Sequence, residues 1–269
     1  MRNSQSHGTI LGYSRREFFT RTALAACALY PPLIEPFFPR IEQVTATIPN
    51  LPQEFEGLKL VQLTDIHRGQ LVSQTKVYHG LKMASALRPD LLVLTGDYVT
   101  GSAHFAFEVV KEIRTLFHPP HGILAVLGNH DYWTNERVVT SAFRQFDVPL
   151  LKNESRKITR NGGDLYFVGV DDVWSGEPSL EKALVGVPKN APKILLCHEP
   201  DYADIARHYG FPLQLSGHSH GGQVHLPFVP RIYPYLAQKY PIGMQRVEGS
   251  SMLVYTSRGI GHLFPGRIN

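Results

Sequence analysis

From about residue 56 onward the chain repeats one unit, and that unit limits the fold more than any other feature. A short apolar run ends abruptly in Asp, Asn or His, and a stretch with helical spacing follows. "LKLVQLTD" (58–65), "DLLVLTGD" (90–97) and "GILAVLGNHD" (122–131) are the first three runs. Residues 76–87, 105–117 and 136–146 carry apolar side chains three and four apart, as with Val77, Leu81, Ala84 and Leu87 in the first. Strand-length runs alternating with helices predict β-α-β-α-β-α with parallel strands. The second half is richer in strands: 164–172, 193–200, 212–220 and 252–261. At 43% hydrophobic, residues 44–269 hold enough apolar surface for one α/β domain with a real core.

In open α/β sheets a ligand sits beyond the carboxyl ends of the strands, and the polar residues gather there. They are Asp65 and His67, Asp97, Asn129, His130 and Asp131, His198, and His218 and His220. Any one alone reads as a loop residue satisfied by local hydrogen bonds. Five clusters, each closing a buried run, should converge where the strands end side by side. The set offers oxygen and imidazole nitrogen but no sulfur. That suits Mn, Fe, Zn or Co rather than a thiolate-bound structural zinc. Seven ligands exceed one ion and fit two that share a carboxylate. In "GHSHGG" the glycines around His218 and His220 permit a tight backbone that turns both rings toward neighbouring ions.

The pattern D-x-H … GD … GNHD … H … GHSH resembles the calcineurin-like metallophosphoesterase superfamily, from about residue 58 to the end. Within it the chain resembles bacterial phosphodiesterases with a twin-arginine leader. The resemblance implies a four-layer αββα sandwich, two mixed β-sheets flanked by helices. It implies two divalent ions, manganese foremost. Asp65, His67 and His220 would hold one ion, Asn129, His198 and His218 the other, and Asp97 both. His130 would approach the scissile phosphate and help the leaving oxygen, with Asp131 orienting it. A metal-bridging hydroxide would attack phosphorus in a phosphodiester or phosphoanhydride bond. A related group cleaves the pyrophosphate of UDP-2,3-diacylglucosamine, so the ester could be nucleotide- or lipid-linked. Other relatives are non-catalytic scaffolds with degraded sites; here each motif position is filled. Two departures stand out. Thr100 replaces a second acid three places after Asp97, and the chain ends at "FPGRIN", where relatives continue into another strand: either the sheet edge differs or the sequence is cut short.

Tyr132 and Trp133, directly after "GNHD", either stack on a base or sugar or fill core and rim. Arg68 either meets a phosphate oxygen or lies solvated at the surface. Cys197, ending "ILLC", reads as a buried thiol.

Net charge is +4, but residues 1–40 hold five arginines against Glu17 and Glu35, leaving 22 basic and 21 acidic groups elsewhere. A near-neutral body disfavours a nucleic-acid partner. Ser14-Arg15-Arg16-x-Phe18 resembles a twin-arginine export signal, although Phe19 and Thr20 depart from its last places. The apolar stretch that follows, interrupted by Pro31, Pro32 and Glu35, falls short of a membrane span. Residues 1–43 therefore read as an export signal that meets the twin-arginine machinery, or as a segment anchored on a membrane surface. "LAAC" ending at Cys27 is a third reading, a lipoprotein cleavage box. The expected location is across or on the bacterial cytoplasmic membrane, with its cytoplasmic face as the alternative.

Overall fold

The computed structural model describes residues 14–33, 39–224 and 228–263, with side chains of 26–33 excepted. The Cys27 side chain and the "FPGRIN" ending lie outside the described residues. Helix α1 (Arg15–Leu33) opens with a capping box. The Glu17 carboxylate accepts from Ser14 N–H and Oγ–H, and Ser14 Oγ accepts from Glu17 N–H. No helix among the described residues is long and apolar enough to cross a membrane. An extended strap over residues 39–48 leads into the body, where Tyr255 and Arg258 both donate to the Glu42 carboxylate.

The first half alternates as its sequence predicts: β1 (Leu60–Leu63), α2 (Gln74–Ser85), β2 (Leu91–Thr95), α3 (Phe105–Leu116), β3 (Ile123–Val126) and α4 (Asn129–Gln145). The three strands form one parallel sheet in the order β1-β2-β3. In the second half come β4 (Glu154–Arg160), β5 (Gly163–Gly169), the single turn α5 (Leu180–Ala183), β6 (Lys193–Leu196), the turn α6 (Ala203–Ala206), β7 (Leu213–Ser216), β8 (Gly243–Arg246) and β9 (Leu253–Thr256). They build a mixed six-stranded sheet in the order β4-β5-β6-β7-β9-β8, antiparallel only at its two outer pairs.

Strand alternation sorts the apolar residues into three cores between four layers. Leu91, Val93, Leu124 and Val126 of one sheet meet Leu165, Phe167, Ile194 and Leu215 of the other. Leu92, Leu94 and Ala125 face the helices, against Leu81, Val110, Ile113 and Phe143. On the far side, Val168, Leu195 and Val254 pack under Ala203, Ala206 and Phe211. The result is the expected αββα sandwich.

Each strand is shorter than its apolar run. β1 and β2 stop two residues before Asp65 and Asp97, and β3 stops before Gly128. Helix α4 begins at Asn129, seven residues earlier than its periodicity predicts, because Asp131 accepts the Gly128 N–H and caps the first turn. The helix bends where Asn135 leaves helical geometry. The polar edge strands β4 and β8 carry no apolar run, and the sequence pattern misses them.

Candidate metal centre

Both sheets direct their carboxyl ends to one place. Asp65, His67, Asp97 and Asn129 come from the three-stranded sheet; His198, His218 and His220 come from the six-stranded one. All seven are buried. The loops beyond β1 and β2 stay paired: Asp65 N–H donates to Gly96 O and His67 N–H to Asp97 O, at 3.0 Å each. Asp65, His67, Asp97, His218 and His220 all have left-handed φ between 49° and 70°. Such strain costs about 1–3 kcal/mol per residue and persists where the surroundings enforce it, typically at functional sites. Here it turns consecutive side chains out of strand alternation toward one centre.

Two glycines make that convergence sterically possible. A Cβ on Gly217 would sit 2.2 Å from Asp65 Oδ2, and one on Gly128 would sit 2.4 Å from Asp97 Oδ1.

The carboxylates are oriented by donors. Thr64 Oγ–H and His218 N–H donate to Asp65 at 2.7 and 3.0 Å. His130 N–H donates to Asp97 Oδ1 at 2.8 Å. This turns Asp97 Oδ2 inward, 3.1 Å from His198 Nε2 and 3.5 Å from His67 Nε2. On the other flank His67 Nε2 and His220 Nε2 are 2.9 Å apart, and His220 Nε2 lies 3.3 Å from Asp65 Oδ1.

Backbone carbonyls fix the imidazoles. His198 Nδ1 donates to Thr95 O at 2.6 Å, and His218 Nε2 donates to Tyr235 O at 2.7 Å. Each ring then has one nitrogen left for a ligand. Asn129 Oδ1 is buried with no hydrogen-bond partner, and His198 Nε2 has only its ion-pair contact with Asp97 Oδ2. An orphaned buried polar atom is costly, and a cation beside it satisfies it. Among the described residues, three groups have ligand atoms close enough to share an ion: Asp65, His67 and His220; Asp97, His198 and His218; and His67, Asp97 and His130.

Charges follow the geometry. Burial raises Asp97, yet His198 outweighs it and holds the carboxyl well below its usual range. Asp65 behaves alike, with His220 the main counterweight to burial. Burial lowers His198, but Asp97 overrides it and holds the imidazolium well above the ordinary value. Burial and then His198 press His218 down to about 4. Burial also lowers His130, which is less enclosed.

Several residues stand apart from their expected roles. Asp131 does not orient His130. Its carboxylate accepts the backbone N–H groups of Asp97, Tyr98 and Gly128 at 2.9–3.0 Å, tying the loop after β2 to the start of α4. Arg68 points away from the cleft, lying over the Phe105 ring and pairing with Glu108 at 3.3 Å. Tyr132 donates to Asp171 at 2.5 Å, so of the two aromatics only Trp133 faces the opening. Cys197 is a buried free thiol whose Sγ–H donates to Glu199 O.

Three residues near the site are not among the expected donors, and of them only Thr100 occupies a motif position, as a departure from the family pattern. Thr100 Oγ lies 2.8 Å from His67 Nδ1 and 3.2 Å from His130 Nδ1. Trp174 stacks edge-on with Trp133 and His218, and Tyr235 with Trp174. Trp174 lies just past β5, so the strand-end rule that gathers the candidate donors also reaches it. The cleft, about 310 Å³, has Asp97, Asn129, His218 and His220 on its floor and Trp133, Trp174, Ile232, Pro234 and Leu263 on its walls. A larger cavity of about 740 Å³ lies under the 39–48 strap and contains none of the seven donors; the chemistry belongs to the smaller one.

Residues 58–222 match the family model for calcineurin-like phosphoesterases, more than half of the chain. The chain belongs to this family. Among similar curated proteins is YkuE of Bacillus subtilis, an uncharacterized metallophosphoesterase, 31% identical over 92% of this chain and 91% of its own length. The Escherichia coli phosphodiesterase YaeI is 26% identical over 78% of each chain. The Chlamydia trachomatis UDP-2,3-diacylglucosamine pyrophosphatase LpxG is 27% identical over 83% of this chain and 84% of its own. The solved structure of Thermus thermophilus TT1561, at 14% identity and TM-score 0.50, covers 76% of this chain and 90% of that one, a likeness of fold. As a calcineurin-like metallophosphoesterase the chain is a hydrolase by family, and its donor clusters form a candidate divalent metal centre.

Proposed function

We propose that this metallophosphoesterase hydrolyses phosphodiesters with two divalent ions. Asp65, His67 and His220 would hold one, Asn129, His198 and His218 the other, and Asp97 Oδ2 both. The orphaned Asn129 Oδ1 supports the fit. The oxygen and imidazole set suits manganese, with iron, zinc or cobalt chemically admissible. When bound, the ions supply Lewis acidity toward the phosphoryl oxygens and make water acidic enough to act as a nucleophile near neutral pH.

The protein's own contribution is proton placement. His67 can offer Nε2 to an ion only if Nδ1 keeps its proton, which it donates to Thr100 Oγ. Thr100 then has one proton to give, and His130 Nδ1 is within reach. A neutral His130 therefore carries its proton on Nε2. From the cleft wall it delivers that proton to the departing alkoxide, giving an alcohol and a phosphomonoester.

One observation carries the choice of a diester. Among the described residues lining the cleft there is no lysine or arginine. A diester carries one negative charge, whereas a monoester dianion or a pyrophosphate brings at least two and favours added cations. The same apolar walls argue against a nucleic-acid backbone. The complete donor set plus His130 supports an enzyme over a non-catalytic scaffold. The exposed Arg15 and Arg16 at a capped helix start support reading residues 1–43 as an export or anchoring segment.

Paired aryl substrates test this reading. The manganese-loaded protein should turn over an aryl phosphodiester faster than the matching monoester, and chelation should abolish both activities. Monoester preference, or turnover that ignores chelation, contradicts it.

A further inference from the structure

The cleft opens through an apolar lip. Phe228, Val229, Ile232 and Tyr235 on the loop after β7 are 105%, 53%, 84% and 63% exposed. Trp133 and Trp174, at 54% and 40%, complete the rim, with ring centroids 5.0 Å apart. Isolated exposed apolar residues are ordinary, but Trp133, Trp174 and Ile232 line one opening, Tyr235 stacks on Trp174 beside it, and Phe228 and Val229 precede Ile232 on the same loop; such a cluster marks an interaction surface. They include both tryptophans of the chain.

The loop is mounted on the site. Tyr235 O accepts from His218, and Gln238 Nε2 donates to the carbonyls of Tyr233 and Pro234. Arg231 and Tyr233 pack against Gly222, two residues past His220. At the tip, Phe228 has φ 67°, a conformation costly for a bulky residue, and its ring stands in solvent. Charge points the same way as shape. From Gly221 to Val247 the sequence has Arg231, Lys239 and Arg246 but no aspartate or glutamate; Lys239 is balanced by its ion pair with Asp204, which leaves Arg231 as the basic residue beside Ile232. Aromatic rings with polar edges, exposed aliphatic side chains and Arg231 among them suit an anionic membrane interface. A protein seated on the lip would seal the cleft, whereas a lipid leaflet both covers it and presents headgroup phosphates to it.

We propose that this lip docks the cleft onto an anionic lipid leaflet, so that the scissile phosphodiester belongs to a membrane lipid headgroup. The substrate assignment rests on the phosphodiesterase reading above; the docking itself does not.

Vesicles separate the two. The full chain, with metal chelated, is mixed with phosphatidylglycerol vesicles or with phosphatidylcholine vesicles. Helix α1 contains no tryptophan, so its binding alone leaves tryptophan emission unchanged, while lip insertion shifts emission to the blue. A blue shift with phosphatidylglycerol is expected. The double variant Phe228→Glu/Val229→Glu should lose about tenfold or more of vesicle partitioning while turning over a soluble aryl phosphodiester like the wild type. Vesicle binding without an emission shift, or equal partitioning by the double variant, overturns the proposal, as does a shift produced only by a soluble protein partner. If the wild type shifts yet the soluble diester is never hydrolysed, docking stands and the phosphodiesterase reading fails.

Discussion

Around Asp65 the donor nitrogens are drawn against each other, with His67 Nε2 2.9 Å from His220 Nε2; on the other side Asn129 Oδ1 has no partner and His198 Nε2 has only the shared Asp97 carboxylate, 3.1 Å away. Contacts alone would make the open Asn129 side the better receptor. Charge reverses that ranking. The Asp65 side sees two carboxylates, its own and the shared Asp97, while the Asn129 side sees one. Two unit charges 4 Å apart at an effective dielectric of about 20 interact by about 4 kcal/mol, and a divalent ion doubles this. Separating two imidazoles gives up a contact worth about 1 kcal/mol. The contracted Asp65 side should therefore fill first and hold its ion more tightly. An open arrangement of donors is thus no guide to affinity when formal charge differs.

The most severe test removes the residue common to both sides. Asp97→Ala should lose both ions, by elemental analysis of the purified protein, and turnover should fall to background; one ion retained at full affinity would mean the two sides are independent. Next is His130→Ala, which should keep both ions and lose about 10²–10⁴-fold in turnover. Loss of an ion instead would make His130 a ligand of the His67–Asp97 group.

Thr100→Val should leave ion content unchanged and lower turnover about 10–100-fold, by analogy with other residues that orient metal ligands. Thr100→Ser should restore it, because only the hydroxyl is required. The smallest effect is a proton count. His198, held protonated by Asp97, must shed about one proton to bind an ion at pH 7. His218, at about 4, is already neutral and sheds none. Calorimetric titration in buffers of different ionisation enthalpy should assign proton release to the weaker phase, whose affinity falls as pH drops. Release confined to the tighter phase would contradict the assignment of His198.

The convergence of the seven candidate donors is legible because metal chemistry needs distinctive residues and a sheet presents strand ends together. Their division between two sheets was not visible in the local pattern, since strand ends look alike whichever sheet they join. Asp131 departs from its expected role for a related reason. A carboxylate beside a histidine can orient the ring or cap the helix, and only the path of the loop after β2 decides between them. Edge strands β4 and β8 escaped because neither buries a full face, every residue being exposed or half-buried, so neither carries an apolar alternation. The lip escaped because Trp133, Trp174 and Tyr235 lie far apart in sequence and share no motif.

Anomalous diffraction from manganese-soaked crystals tests the central claim most directly. Two peaks are expected, one among Asp65, His67 and His220 and one among Asn129, His198 and His218, with Asp97 reaching both. A fully active crystal with a single peak, or with peaks away from these side chains, would contradict it.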